Sequence, residues 1–232
     1  MSGLPSAEPV PVLQALLVLG ESRQVLRAAW SSPTHVPYAP DAYPIDAPVV
    51  DLWLISPGGD SVQYAPTEVA GEFAAIASVS PQETYLLSGS IAARPVAASA
   101  SLPGNLTVAL PAGDTLRLQR TAGSSQLAYA WQSDSAASYQ ALLLDRNGRR
   151  DPTAYVLTRD SLGIFRDIAP DTAGAIMIVP PFPIPSDTAR LVIFGYDRRA
   201  TAFFSSSTRG NVHGAFGLFG GAAKAEKVVV WE

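Results

Sequence analysis

Gly210-Asn211-Val212-His213-Gly214-Ala215-Phe216-Gly217-Leu218-Phe219-Gly220-Gly221 is a run of glycines and aromatic residues that feeds Lys227-Val228-Val229-Val230-Trp231. Glycines at 214, 217 and 220 do not fit the Gly-x-Gly-x-x-Gly pattern of a nucleotide loop, and no long helical pattern follows them. The stretch reads as a tight, bent segment that locks Phe216 and Phe219 into a core before a last strand at Lys227–Trp231. It points to architecture rather than to chemistry.

Outward from this segment the chain is strand after strand. Residues 12–19 and 24–30 are apolar runs joined by Gly20-Glu21-Ser22, a hairpin signal. Residues 31–48 carry Pro33, Pro37, Pro40, Pro44 and Pro48, too many prolines for a helix. Residues 49–55 alternate as a strand, and 61–64, 71–74, 84–91 and 95–100 complete a first sheet set. Strands at intervals of roughly ten residues with turn signals between them indicate a sandwich. Leu102-Pro103-Gly104-Asn105 reads as a boundary, giving an N-terminal β-sandwich domain at 1–103 and a C-terminal β domain at 104–232. In the second part, 115–119, 126–131, 138–144, 153–157, 163–167, 175–179 and 190–196 are strand candidates. Asp145-Arg146-Asn147-Gly148 is a hairpin turn. A single short helix is expected at 200–208, where Phe203 and Phe204 put two rings together. The expected fold class is therefore all-β, two sandwich domains with at most one short helix.

Composition narrows the functions. Charged residues make up 16% of the 232, against about 25% in an ordinary soluble domain. The formal net charge is −4, so a basic face for nucleic acid is not expected. The chain has no cysteine, which excludes disulfides, thiolate catalysis and iron–sulfur clusters. Val10 to Leu19 is apolar but interrupted by Pro11 and Gln14, and is far too short to span a membrane. No transmembrane span is expected.

Candidate chemistry is sparse. His35 and His213 are the only histidines, and no third ligand stands at a zinc-site spacing. Neither a Gly-x-Ser-x-Gly elbow nor Ser-x-x-Lys occurs. Asp145-Arg146-Asn147-Gly148 lacks the distal glutamate of a calcium loop. No catalytic, metal or cofactor-binding residue is expected. Trp30, Trp53, Trp131 and Trp231 read as core anchors, with a sugar-stacking platform as the rival. Tyr38, Tyr43, Pro40 and Pro44, in the proline-rich loop, are the candidate partner-contact residues, because proline lowers the entropy lost on binding. The rival is a loop that wraps its own sandwich.

Taken in order, these segments resemble the bacterial envelope family named domain of unknown function 4249, whose members are usually lipoproteins. Pro44 to Leu54 is similar to the strand that follows the family's opening hairpin. Gly71-Glu72-Phe73 stands where the family has Gly-x-Tyr, and Glu83-Thr84-Tyr85-Leu86-Leu87 resembles the strand after it. Asn211 to Gly220 resembles the family's closing segment. The resemblance implies a transthyretin-like or immunoglobulin-like first sandwich and an envelope setting. The lipid-bearing cysteine of the family is absent, and the chain is shorter than most members. The expected function is a non-enzymatic accessory subunit that docks on a larger, membrane-bound complex in the bacterial periplasm or outer envelope, attached through partners or a removed anchor. Two other readings stay open. A carbohydrate- or small-ligand-binding module requires two or three exposed rings in a row on one sheet face. An unrecognised hydrolase requires His35 or His213 within hydrogen-bond reach of a serine or carboxylate in a pocket.

Overall fold

The computed structural model describes residues 8–31, 43–119, 123–150, 154–159, 165–169, 171–181, 187–205 and 210–232. The strands are β1 (Pro11–Val18), β2 (Arg23–Trp30), β3 (Val50–Ile55), β4 (Ser61–Gln63), β5 (Ala65–Pro66), β6 (Glu72–Ile76), β7 (Thr84–Ile91) and β8 (Arg94–Ser101). They continue as β9 (Thr107–Leu110), β10 (Thr115–Leu118), β11 (Ser125–Gln132), β12 (Ser138–Asp145), β13 (Tyr155–Arg159), β14 (Phe165–Arg166), β15 (Ile168–Ala169), β16 (Ala173–Val179) and β17 (Thr188–Tyr196). The helix α1 (Arg198–Ser205) and the long strand β18 (Phe216–Trp231) close the chain. The protein is all-β, built as two β-sandwich units.

Unit 1 comprises residues 1–102 and 202–221. Its first sheet runs β18-β1-β2-β6-β5, with only the first part of β18 belonging to it, and its second runs β4-β3-β7-β8. Alternation supplies the core, because successive side chains of a strand face opposite ways. Leu13, Ala15 and Leu17 of β1 and Leu26 and Ala28 of β2 are buried on one sheet. Leu52, Leu54, Leu87, Val96 and Ala100 are buried on the other.

Unit 2 comprises residues 103–201 and 222–232. One sheet runs β15-β12-β17-β18 with β10 paired in parallel to the end of β18, and the other runs β14-β13-β16-β11-β9. A single cluster draws on both: Tyr129, Trp131, Val156, Ile176 and Ile178 from one sheet, Tyr139, Leu143, Leu191, Ile193, Val229 and Trp231 from the other. The Trp131 ring stacks on Tyr129, with centroids 4.2 Å apart, and lies 6.2 Å from Tyr139. α1 is started by Asp197, whose carboxylate accepts from the Ala200 N–H at 2.6 Å, a helix N-cap.

The glycine and aromatic segment is where the sequence reading needs correction. It was expected to close the C-terminal domain; instead, residues 210–221 belong to unit 1, so neither unit is a contiguous piece of chain. The last strand begins at Phe216, not at Lys227. Close backbone approach explains this. Gly217 has φ +122°, and a Cβ there would lie 1.7 Å from the Leu13 carbonyl oxygen. Gly214 has φ +81°, and its Cβ would lie 2.0 Å from the Pro95 oxygen. Once the segment is a strand, residues three apart fall on opposite faces. Phe219 is accordingly fully buried and Phe216 is 37% exposed, so only one of the two rings is core.

Asn211 ties the two sheets of unit 1 together. Its side-chain amide donates to the Phe219 carbonyl at 2.7 Å and to the Ser99 carbonyl at 3.1 Å. Its side-chain oxygen accepts from the Phe219 N–H at 2.9 Å. Asn211→Ala removes all three bonds and leaves part-buried backbone groups without them. We expect a loss of about 2 kcal/mol, read as a lower denaturant midpoint.

Candidate functional site

The sequence-predicted contact residues divide. Tyr38 and Pro40 lie outside the described residues, as does His35. Tyr43 is 37% exposed, and its carbonyl accepts from the Trp30 N–H at 2.8 Å. Pro44 bridges to Ala29, and the Ile45 N–H donates to the Ala28 carbonyl at 3.1 Å. Tyr43, Pro44 and Ile45 therefore run along the end of β2, with Ile45 buried. A small cavity of about 110 Å³ lies beside Pro44, with Asp46, Thr67 and Glu72 among its walls. Glu72 is engaged there by Arg23, Arg27 and the Thr67 hydroxyl.

A larger concavity lies elsewhere on unit 1. On the face of β1 and β2 opposite the core, Gln14, Leu16, Val25 and Arg27 point outward. The buried Leu218 of β18 and Phe203 and Phe204 of α1 complete an open groove of about 320 Å³. The Phe203 and Phe204 rings meet edge to face, 5.7 Å apart. Phe204 is 45% exposed. The lining is apolar except for Gln14 and Arg27. Two adjacent phenylalanines at the end of a short helix were the only sequence signal for this groove. Which sheet face they cover depends on long-range strand pairing.

Titratable groups offer little for chemistry. Burial raises the phenols of Tyr64 and Tyr196 well above the ordinary tyrosine range. Tyr196 donates to the Gln140 side-chain oxygen at 2.7 Å, whereas the Tyr64 hydroxyl has no hydrogen-bond partner among the described residues. The hydrogen bond from Lys224 holds the Glu226 carboxyl below the usual range, with Arg190 assisting. That exposed trio is a surface ion network, a class worth little to stability. His213 is exposed, and its backbone pairs with Ala97. The Asp145 carboxylate accepts from the N–H groups of Asn147 and Arg149, each at 2.8 Å. It is a turn anchor rather than a calcium ligand. Among the described residues no three His, Asp or Glu side chains gather as metal ligands. Trp131 and Trp231 are core, as expected, whereas Trp30 and Trp53 are only half-buried. No helix among the described residues is long and apolar enough to cross a membrane.

No family model matches the chain. No curated protein matches it either. Among solved structures, a titin substructure matches at 11% identity with TM-score 0.30, covering 96% of this chain and 99% of the other. Sidekick-1 immunoglobulin domains 1–4 match at 10% identity with TM-score 0.27, covering 99% of this chain and 51% of that one. The BSP domain of a biofilm-associated protein matches at 12% identity and TM-score 0.27, covering 95% and 30%. Scores this low carry no argument, and the fold assignment rests on the sheets themselves. Stacked antiparallel sheets of this kind are a common scaffold for protein-interaction modules.

Proposed function

We propose that this chain is a non-enzymatic accessory subunit of the bacterial cell envelope that docks a partner protein in the unit 1 groove between β1, β2 and the Phe203–Phe204 pair. The observation that carries the reading is the groove itself. It is open and apolar, with an exposed phenylalanine at its rim, and exposed apolar concavities of this kind mark interaction sites. A volume of about 320 Å³ admits large apolar side chains of a partner, with Gln14 as a polar group of its lining. Sheets and their edges are common peptide-docking surfaces. The envelope setting, and a membrane-bound complex as the partner, are drawn from the family resemblance of Pro44–Leu54 and Asn211–Gly220.

Phe204→Glu tests the docking. Because the ring is 45% exposed, the substitution should change folding stability by less than about 1 kcal/mol. A carboxylate in the apolar groove should nonetheless expel the partner. Quantitative co-purification from envelope fractions is expected to recover one defined protein with the unaltered chain and at least tenfold less with the variant. Equal recovery of that protein with both chains contradicts the reading.

A further inference from the structure

The second sheet of unit 1 carries a different surface. Its register sets Gln63 opposite Trp53, Trp53 opposite Ser88 and Ser88 opposite Ala97. An isolated antiparallel bridge then sets Ala97 opposite His213. Directly opposed residues of an antiparallel ladder project to the same face. The neighbouring residues Leu52, Leu54, Leu87 and Val96 fill the core, so this row faces outward. Gln63, Ser88, Ala97 and His213 are exposed and Trp53 is half-buried.

The sizes of the side chains in this row imply a shallow trough. Strands lie about 4.8 Å apart, so Trp53 and His213 stand roughly 14 Å from each other across three strand steps. Between them are only Ser88 and Ala97, whose small side chains leave the floor low. The next row adds Ile55, Leu86 and Ser99, with Leu86 46% exposed. At one wall the indole N–H of Trp53 donates to Asp51 Oδ1 at 2.8 Å, and Gln63 Nε2 donates to the same oxygen at 3.3 Å. The ring is thereby fixed beside a carboxylate whose other oxygen makes no hydrogen bond among the described residues.

We propose that this trough binds a neutral glycan, held by one half-buried indole and the exposed His213 imidazole where two or three exposed rings were expected for such a ligand. A sugar ring has an apolar C–H face and a rim of hydroxyls. An oriented indole supplies the flat apolar surface, and Asp51, Gln63, Ser88 and His213 supply partners for the rim. A few placed polar groups around an apolar contact is the usual makeup of a small-ligand site. Asp51 is the one acidic group of the trough, which disfavours uronates, phosphates and other anions. The trough lies on the other sheet from the docking groove, and neither reading depends on the other.

The test uses the full chain with its four tryptophan indole N–H signals followed by NMR. Cellohexaose, maltohexaose, xylohexaose and chitohexaose are titrated separately. At least one should shift the Trp53 signal saturably while Trp131 and Trp231 stay in place. Trp53→Ala and Ser88→Leu, the second filling the floor without touching the ring, should each weaken that binding at least tenfold with the melting temperature retained. If Trp53→Ala does not fold, Ser88→Leu alone decides. No saturable shift with any of the four sugars overturns the proposal, as does binding that survives Ser88→Leu.

Discussion

Gly217→Ala is expected to destabilise unit 1 by about 4 kcal/mol, lowering its unfolding transition by roughly 15 °C. Two costs add. Gly217 has φ +122°, a region that residues with a Cβ scarcely visit, worth about 1–3 kcal/mol of backbone strain. The added methyl would also sit 1.7 Å from the Leu13 oxygen, 2.8 Å from its carbonyl carbon and 3.0 Å from its nitrogen. All three are backbone atoms that no rotamer change can move, so β18 must draw away from β1. Gly59→Ala is the control. Its φ is +90°, yet a Cβ there meets nothing within 4 Å. It should cost only about 1 kcal/mol from the backbone term alone. Thermal unfolding followed by circular dichroism separates the two. Equal small losses at both positions would mean that β18 does not press against β1 as described.

Trp131→Ala is expected to cost unit 2 about 3–5 kcal/mol, the range for emptying a buried tryptophan site. The ring is 2% exposed and packed between Tyr129 and Tyr139. Those rings would lose their partner together. Trp131→Phe should be much milder, about 1–2 kcal/mol. The indole N–H has no hydrogen-bond partner among the described residues, so its removal breaks no bond. Tyr155→Ala, at an exposed position of β13, should shift stability by no more than about 0.5–1 kcal/mol. Urea denaturation of the three variants gives the order directly. Trp131→Phe as costly as Trp131→Ala would point to a hydrogen bond to the indole instead of stacking as the source of its worth.

Local rules in the sequence foretold most of the strands, because apolar alternation and Gly or Pro punctuation report on a half-buried strand without reference to its partners. The hairpin of β1 and β2 and the β3, β7 and β12 strands were legible in this way. The failures share one cause. Residues 216–226 carry three glycines and a run of alanines, which local rules read as a bend, yet they pair as a strand because only a residue without a side chain fits against Leu13. Membership of residues 202–221 in unit 1 follows from pairings with positions more than a hundred residues away, such as Asn211 with Ser99. The docking groove and the trough are products of register for the same reason. Phe203 and Phe204 were visible as neighbours, but not the face they would cover. Trp53 and His213 had nothing in the sequence to connect them.

Site-specific photocrosslinking tests the docking account most directly. A benzophenone amino acid would be placed in turn at Phe204 and Leu16 in the groove, and at Tyr155 and Val49 outside it, in the full chain expressed in envelope-bearing cells. The account predicts an adduct to one and the same envelope protein from Phe204 and Leu16, and none to that protein from Tyr155 or Val49. Absence of an adduct at both groove positions, or the same adduct from all four positions, would contradict it.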